Sequence, residues 1–233
     1  MSHLKERYIT VVDAVAQACR DCGRNPEDVT VMGVSKTVGV DVVAEAIEAG
    51  VTDFGENRPE QLVEKHDLYP QVRWHFIGNI QSRQLRNIVG RACCIHSLYK
   101  IEHARKINSL AAEQNIVQHV LIEVNDGEDN KQGINREDLY GMLEACYEME
   151  HISVDGLMIM APQADDETVS AVFAGLTSLR DEMVARLRNE GHDCELSTLS
   201  MGMSNDYPLA IAEGSTIVRV GRAIFSDTYS DNN

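Results

Sequence analysis

Positive charge is scarce in this chain: 21 Lys and Arg face 37 Asp and Glu, a formal net charge of −16 over 233 residues. A nucleic-acid backbone needs a basic face, so nucleic acid is excluded as a partner. An anionic membrane surface is excluded on the same ground. Long apolar runs are missing too. None approaches the roughly 20 residues that cross a bilayer. The opening Met1-Ser-His-Leu-Lys-Glu-Arg7 has no apolar h-region, so a secretory signal is not expected and the cytoplasm is the expected compartment. Low-complexity tracts and linkers are absent, and residues 1–233 read as a single domain.

Several chemical motifs are lacking as well. There is no G-x-S-x-G elbow, which excludes a serine hydrolase of that design. Cys19 and Cys22 form a CxxC, but no second CxxC or HxxxH follows to complete a zinc site. The six cysteines (19, 22, 93, 94, 146, 194) therefore read as reduced thiols packed as small hydrophobes. Cys93 and Cys94, neighbours in an apolar run, are expected to point to opposite faces of a strand. His75, His96 and His119 fall on strands without metal-ligand spacing, so satisfied histidines and no metal are expected.

What is present is a regular alternation. Candidate strands fall at Val29–Ser35, Asp53–Glu56, Arg73–Ile77, Ala92–His96, Gln118–Val124, Val154–Met158, Glu195–Leu199 and Ile217–Val220, and most of them read as the near-continuous apolar runs of buried parallel strands. Helical stripes separate them. One carries Val40, Val43, Ala44 and Ile47 and is closed by Gly50; another carries Val169, Val172, Phe173, Leu176, Leu179, Met183 and Leu187. Eight such alternations predict an α/β fold, either a closed (β/α)8 TIM barrel or an open doubly wound sheet. The count favours the barrel, and Ser35-Lys-Thr-Val-Gly39 is not the glycine-rich fingerprint an open sheet shows after its first strand. About a dozen residues follow the eighth strand, too few for a covering helix. An extra N-terminal helix with Leu4, Tyr8, Val11, Val12, Val15 and Ala18 on one face is expected to take that place.

Ligands of such barrels sit at the C-terminal ends of the strands. Those ends carry Lys36, Glu56-Asn57, His75, His96, Glu123, Met158, Ser200–Ser204 and Arg219-Val-Gly221. A lysine at a buried strand's mouth, if stripped of water, is a nucleophile for carbonyl compounds; it is otherwise a solvated charge. Arg219 interrupts an apolar run, so it either pairs with a carboxylate such as Glu56 or donates to a ligand's ring nitrogen. Ser200, Ser204, Ser215 and Thr216 cap the following helices, hold a phosphate, or both. Glu56 and Glu123 lie near strand ends, with nothing in the sequence to bring them together for acid/base work. An aldehyde that also bears a phosphate suits the lysine and the serines at once, and pyridoxal 5′-phosphate is the commonest such cofactor.

With these residues in view, the chain resembles the pyridoxal phosphate homeostasis family nearly end to end. The resemblance rests on Val34-Ser-Lys-Thr37, Phe54-Gly-Glu-Asn57, Trp74-His-Phe-Ile-Gly78, Asn130-Lys-Gln-Gly133, Gly156-Leu-Met158, Leu199-Ser-Met-Gly-Met-Ser-Asn-Asp206, Gly214-Ser-Thr-Ile-Val-Arg-Val-Gly221 and Ile224-Phe225, in that order. It implies the barrel of the alanine racemase N-terminal domain. It also implies pyridoxal 5′-phosphate held as a Schiff base on Lys36, with Arg219 facing the pyridine nitrogen. Ser200, Ser204 and the backbone at Gly221 would hold the phosphate, Asn57 would line the ring, and His75 and Met158 would be neighbours. The implied function is intracellular buffering and delivery of the cofactor by a monomer with no reaction of its own, with pyridoxal-phosphate-dependent apoenzymes as receivers. A reactive aldehyde is a physical reason for a carrier.

The alternative is an amino-acid racemase of the alanine racemase type. That chemistry needs a second group, in the racemases a tyrosine from a C-terminal β-domain, and no such domain is expected in a chain ending at Asn233. Tyr207 and Tyr229 are the remaining candidates. The chain departs from the family pattern at Arg58-Pro59 (commonly Tyr-Val), at Arg83 and Gln84 (commonly Asn-Lys) and at Ser226 (commonly Gly). These departures bear on rim contacts and loop shape.

Overall fold

The computed structural model describes residues 3–127 and 132–227. The apolar runs become β1 Thr30–Val34, β2 Asp53–Glu56, β3 Arg73–Phe76, β4 Cys94–Leu98, β5 Gln118–Glu123, β6 Ile152–Met158, β7 Thr198–Met203 and β8 Ile217–Val220. All pair in parallel in sequence order, and β8 returns to β1, with Met32 opposite Arg219, so the sheet closes into the expected (β/α)8 barrel. Helices α1 His3–Asp21, α2 Val40–Ala49, α3 Pro59–Leu68, α4 Leu85–Ile88, α5 Ile101–Glu113, α6 Arg136–Tyr147, α7 Asp166–Asn189, α8 Tyr207–Ala212 and α9 Arg222–Phe225 surround it.

Side-chain alternation divides the hydrophobic groups into two sets. Val218 and Val220 point outward and pack with Val11, Val15 and Cys19 of α1 and with Ile211 and Ile224. The N-terminal helix thus covers the β8 side, as its apolar face predicts. Met32, Val34 and Ile217 point inward, as do Cys94, Leu121 and Met158. The larger core lies between the barrel's outer face and the helices, with Phe54, Trp74, Phe76, Leu157 and Phe173 fully buried or nearly so. Gly50 closes α2 in the left-handed region (φ 106°), the conformation glycine adopts without a Cβ penalty.

Two strands lie later than the sequence suggests. β7 begins at Thr198 and not Glu195, because Leu196 has a positive φ of 45° and breaks the extended run. It continues through Ser200-Met-Gly-Met203, a segment that reads as a turn, by bulging at Gly202 (φ 93°) where its register with β8 shifts. β4 begins at Cys94 and runs to Leu98. Cys93 therefore lies outside the strand's alternation, and both thiols come to the same side: Cys93 packs against the Cys94–Leu121–Met158 cluster, with its Sγ 3.5 Å from His75 Nε2.

Candidate functional site

Lys36 lies in the turn directly after β1 and is exposed, not desolvated. The buried lysine is Lys65 of α3. Its ammonium bonds Glu56 Oε1 at 2.5 Å and Ser35 O at 2.9 Å, with side-chain exposures of 2% for Lys65 and 0% for Glu56. Ser35 Oγ donates to the same Glu56 oxygen at 2.6 Å. In the orientation that gives its amide nitrogen acceptors, Gln61 reaches Lys36 O (3.2 Å) and Glu56 Oε2 (3.0 Å). A helix and a strand therefore clamp the peptide that carries Lys36 from both sides. The carboxylate partner suggested for Arg219 is thus occupied elsewhere. The signal available in the sequence was Lys65 itself, three residues after the buried Leu62 and on the same face of α3.

Arg219 is 5% exposed and points into the barrel. Its Nη1 donates to Ser200 O (2.7 Å) and Ser200 Oγ (2.8 Å), and its Nη2 to Ile159 O (2.9 Å). These bonds use three of the five N–H groups of a guanidinium. Burial pulls the Arg219 pKa down to about 10 against the attraction of Asp206 and Glu123, so it remains a cation at neutral pH.

Of the other expected site residues, Ser200 is fully buried beside Arg219, and Met158 is buried at the end of β6, opposite Ser200 in register. Asn57 is half-buried just after β2, and Ser204 is half-buried in the turn before α8. Gly221 follows β8 beside Val34 O, which an added Cβ would approach to 3.3 Å. Gly78 packs still more closely: a Cβ there would lie 2.1 Å from Asn57 O, so only glycine leaves the Asn57 backbone in place. Lys36, Asn57, Ser200, Ser204, Arg219 and Gly221 thus belong to one end of the barrel.

His75 is buried inside the barrel, 1% exposed, with Nε2 3.1 Å from Asp53 Oδ1 and Nδ1 2.9 Å from His96 Nε2. His119 is exposed and bonds Asp155 at 2.8 Å. Barrel closure also brings His75, Cys94 and His96 together, with ligand-capable atoms within 4.8 Å, which linear spacing did not reveal. Both nitrogens of each ring already have protein partners, and burial holds the Cys94 thiol protonated. The arrangement is a hydrogen-bonded core. Ser215 and Thr216 cap no helix: Ser215 Oγ donates to Met201 O (2.7 Å) and Thr216 Oγ1 accepts from Leu199 N (2.9 Å), tying β8 to β7. Asp206 precedes α8 as expected, but its carboxylate accepts from Met203 N and closes the turn. Asn130, Lys131 and Tyr229 lie outside the described residues. Among the described residues no helix is long and apolar enough to cross a membrane.

The family model of the alanine racemase N-terminal domain matches residues 12–228. The pyridoxal phosphate homeostasis protein of Aquifex aeolicus is 37% identical over 226 residues, which is 95% of this chain and 97% of that protein. PipY of Synechococcus elongatus, solved with PLP bound, superposes with a TM-score of 0.80 at 29% identity, over 91% of this chain and 100% of that one. An alanine racemase of Clostridium difficile 630 shares the fold alone, with a TM-score of 0.71 at 16% identity over 94% of this chain and 57% of its own.

Proposed function

The chain belongs to the pyridoxal phosphate homeostasis protein family, built on the alanine racemase N-terminal domain, and from that premise we propose that it holds pyridoxal 5′-phosphate reversibly, buffering and delivering it without a reaction of its own. The observation that carries the reading is the pairing of β1 with β8, Met32 opposite Arg219, which gives an exposed amine and a buried guanidinium to the same mouth. The residues present suit the group. Arg219 keeps two N–H groups beyond its three protein bonds, and in a chain of net charge −16 these two cations supply local attraction for an anion.

When bound, the cofactor supplies an aldehyde that an amine holds covalently. Lys36 provides that amine, on a peptide kept rigid by Lys65, Glu56 and Gln61. Arg219 would donate to the ring nitrogen. As a cation that cannot accept a proton, it would leave that nitrogen unprotonated and the ring a poor electron sink, which suits storage better than turnover. Ser200, Ser204 and the backbone at Gly221 take the phosphate. Asn57 would line the ring, and Met158 and His75 would be its neighbours. The whole chain works as one domain and as a monomer in the cytoplasm, and the receivers are apoenzymes that need the cofactor. The naming of relatives at up to 37% identity as homeostasis proteins supports the non-catalytic role over a racemase.

The test is the absorption spectrum of the protein with pyridoxal phosphate, before and after borohydride and dialysis, beside Lys36→Ala. Borohydride is expected to lock the chromophore onto the wild type alone. A variant that still traps the cofactor would move the attachment to another lysine. Racemisation of alanine or serine that disappears in Lys36→Ala would overturn the non-catalytic role.

A further inference from the structure

A chain of buried polar side chains runs from the mouth of the barrel to its floor. Arg219 Nη1 donates to Ser200 Oγ at 2.8 Å, and Ser200 Oγ lies 3.0 Å from His96 Nδ1. His96 Nε2 lies 2.9 Å from His75 Nδ1, and His75 Nε2 lies 3.1 Å from Asp53 Oδ1. Ser200, His96 and His75 are each at most 1% exposed. Asp53 opens β2 at the other end, where its Oδ2 accepts from Thr52 and its Oδ1 lies 3.4 Å from the exposed Arg73.

The two ends of this chain give it a direction. A guanidinium only donates and a carboxylate only accepts. With both imidazoles neutral, every proton points the same way: Arg219 to Ser200, Ser200 to His96, His96 to His75, His75 to Asp53. The Ser200 hydroxyl has then committed its single proton inward. One added proton on His75 reverses the middle of the chain. His75 then donates from both nitrogens, His96 accepts at Nε2 and carries its own proton on Nδ1, and Ser200 accepts from His96. Its hydroxyl proton is released toward the mouth.

We propose that His96, oriented through His75 by Asp53, is the positioning residue that sets the direction of the Ser200 hydroxyl, and that a phosphate monoester bound at the mouth draws one proton into the His75–His96 pair. The proposal rests on the reading that Ser200 serves the cofactor phosphate. A phosphate dianion favours donors, and coupling of this kind is reciprocal: what the ligand does to the proton, the proton does to the ligand. The charged and titratable groups facing the pair are Asp53 from β2, Arg73 from β3, Cys93 and Cys94 beside and on β4, and Arg219 from β8. Burial pulls His75 down, but its hydrogen bonds to Asp53 and Cys93 outweigh that and raise it. Burial, then the charges of His75 and Arg219, hold His96 well below its ordinary value. The added proton therefore belongs on His75, beside the carboxylate.

The experiment reads the ring-nitrogen NMR shifts of both histidines at roughly pH 6 to 8, the range in which histidine titrates. The wild type is measured alone, with pyridoxal 5′-phosphate and with pyridoxal, which lacks the phosphate. Alone, at the alkaline end of that range where His75 is neutral, His96 is expected to carry its proton on Nε2. Pyridoxal phosphate moves it to Nδ1 with uptake of about one proton, and pyridoxal leaves it unmoved. Asp53→Asn, at the far end of the barrel, is expected to weaken pyridoxal phosphate about tenfold and leave pyridoxal unchanged. Borohydride trapping on Lys36 separates the two ideas. Trapped cofactor with an unchanged His96 pattern overturns the relay alone. No trapped cofactor overturns the holding role, and the relay with it. The wild-type shifts decide the question even where Asp53→Asn does not fold.

Discussion

Replacing Glu56 by glutamine removes the counter-charge from a lysine with no route to water. Lys65 and Glu56 expose 2% and 0% of their side chains and meet at 2.5 Å, and the same carboxylate also accepts from Ser35 Oγ. Removing one partner of a buried ion pair costs about 3–5 kcal/mol, because the remaining charge stays buried without compensation. Against a total stability on the order of 5–15 kcal/mol this is a large fraction. For a domain of this size it corresponds to a melting temperature lower by roughly 6–20 °C. Urea denaturation of the cofactor-free protein measures the loss directly. The double variant Glu56→Leu with Lys65→Met removes both charges and is expected to recover at least about half of it, so that a double-mutant cycle with the two single variants shows the pair to be favourably coupled. It is also expected to hold cofactor on Lys36 less well than the wild type despite its regained stability, because the carbonyl of Ser35 keeps Val38 N–H but loses the Lys65 ammonium, and Gln61 loses its carboxylate partner. Glu56→Gln within about 0.5 kcal/mol of the wild type would refute the reasoning, since that is the range of an ordinary surface substitution.

Two further outcomes follow from packing. Gly78→Ala places a Cβ 2.1 Å from Asn57 O and is expected to cost about 1–3 kcal/mol in the same denaturation assay, whereas Gly39→Ala, with nothing within 4 Å, is near neutral; equal effects would discredit the close-approach argument. Iodoacetamide followed by mass spectrometry is expected to label Cys22, which is exposed, and to spare Cys19, Cys94, Cys146 and Cys194, which are buried, until the chain unfolds. Burial pushes the Cys146 thiol up to about 12, so mildly alkaline pH leaves it unreactive, and native-state labelling at Cys146 would contradict that.

Much of the architecture was legible because the strands of a parallel barrel are buried on both faces and read as continuous apolar runs. β1 and β8 fall within those runs, and α1 packs where its apolar stripe requires. The misplacements share a local cause. At Leu196 the break is a single positive φ, invisible in composition. At Gly202 a glycine in an extended segment looks like a turn, although partner strands on both sides keep Thr198–Met203 in the sheet through a bulge.

Of the candidate site, the sequence alone determined which residue types stand at strand ends, because strand order and direction place Lys36, Asn57, Ser200 and Arg219 at a common mouth once the barrel is assumed. It could not determine which buried groups share a proton or a charge. Lys65 meets Glu56 from a separate helix nine residues on, and His96 meets Ser200 across 104 positions of chain. Those pairings depend on barrel closure and on side chains alternating between inside and outside. Only the tertiary structure could therefore show Lys36 solvated above a buried ion pair and Arg219 at the head of a polar chain through the core.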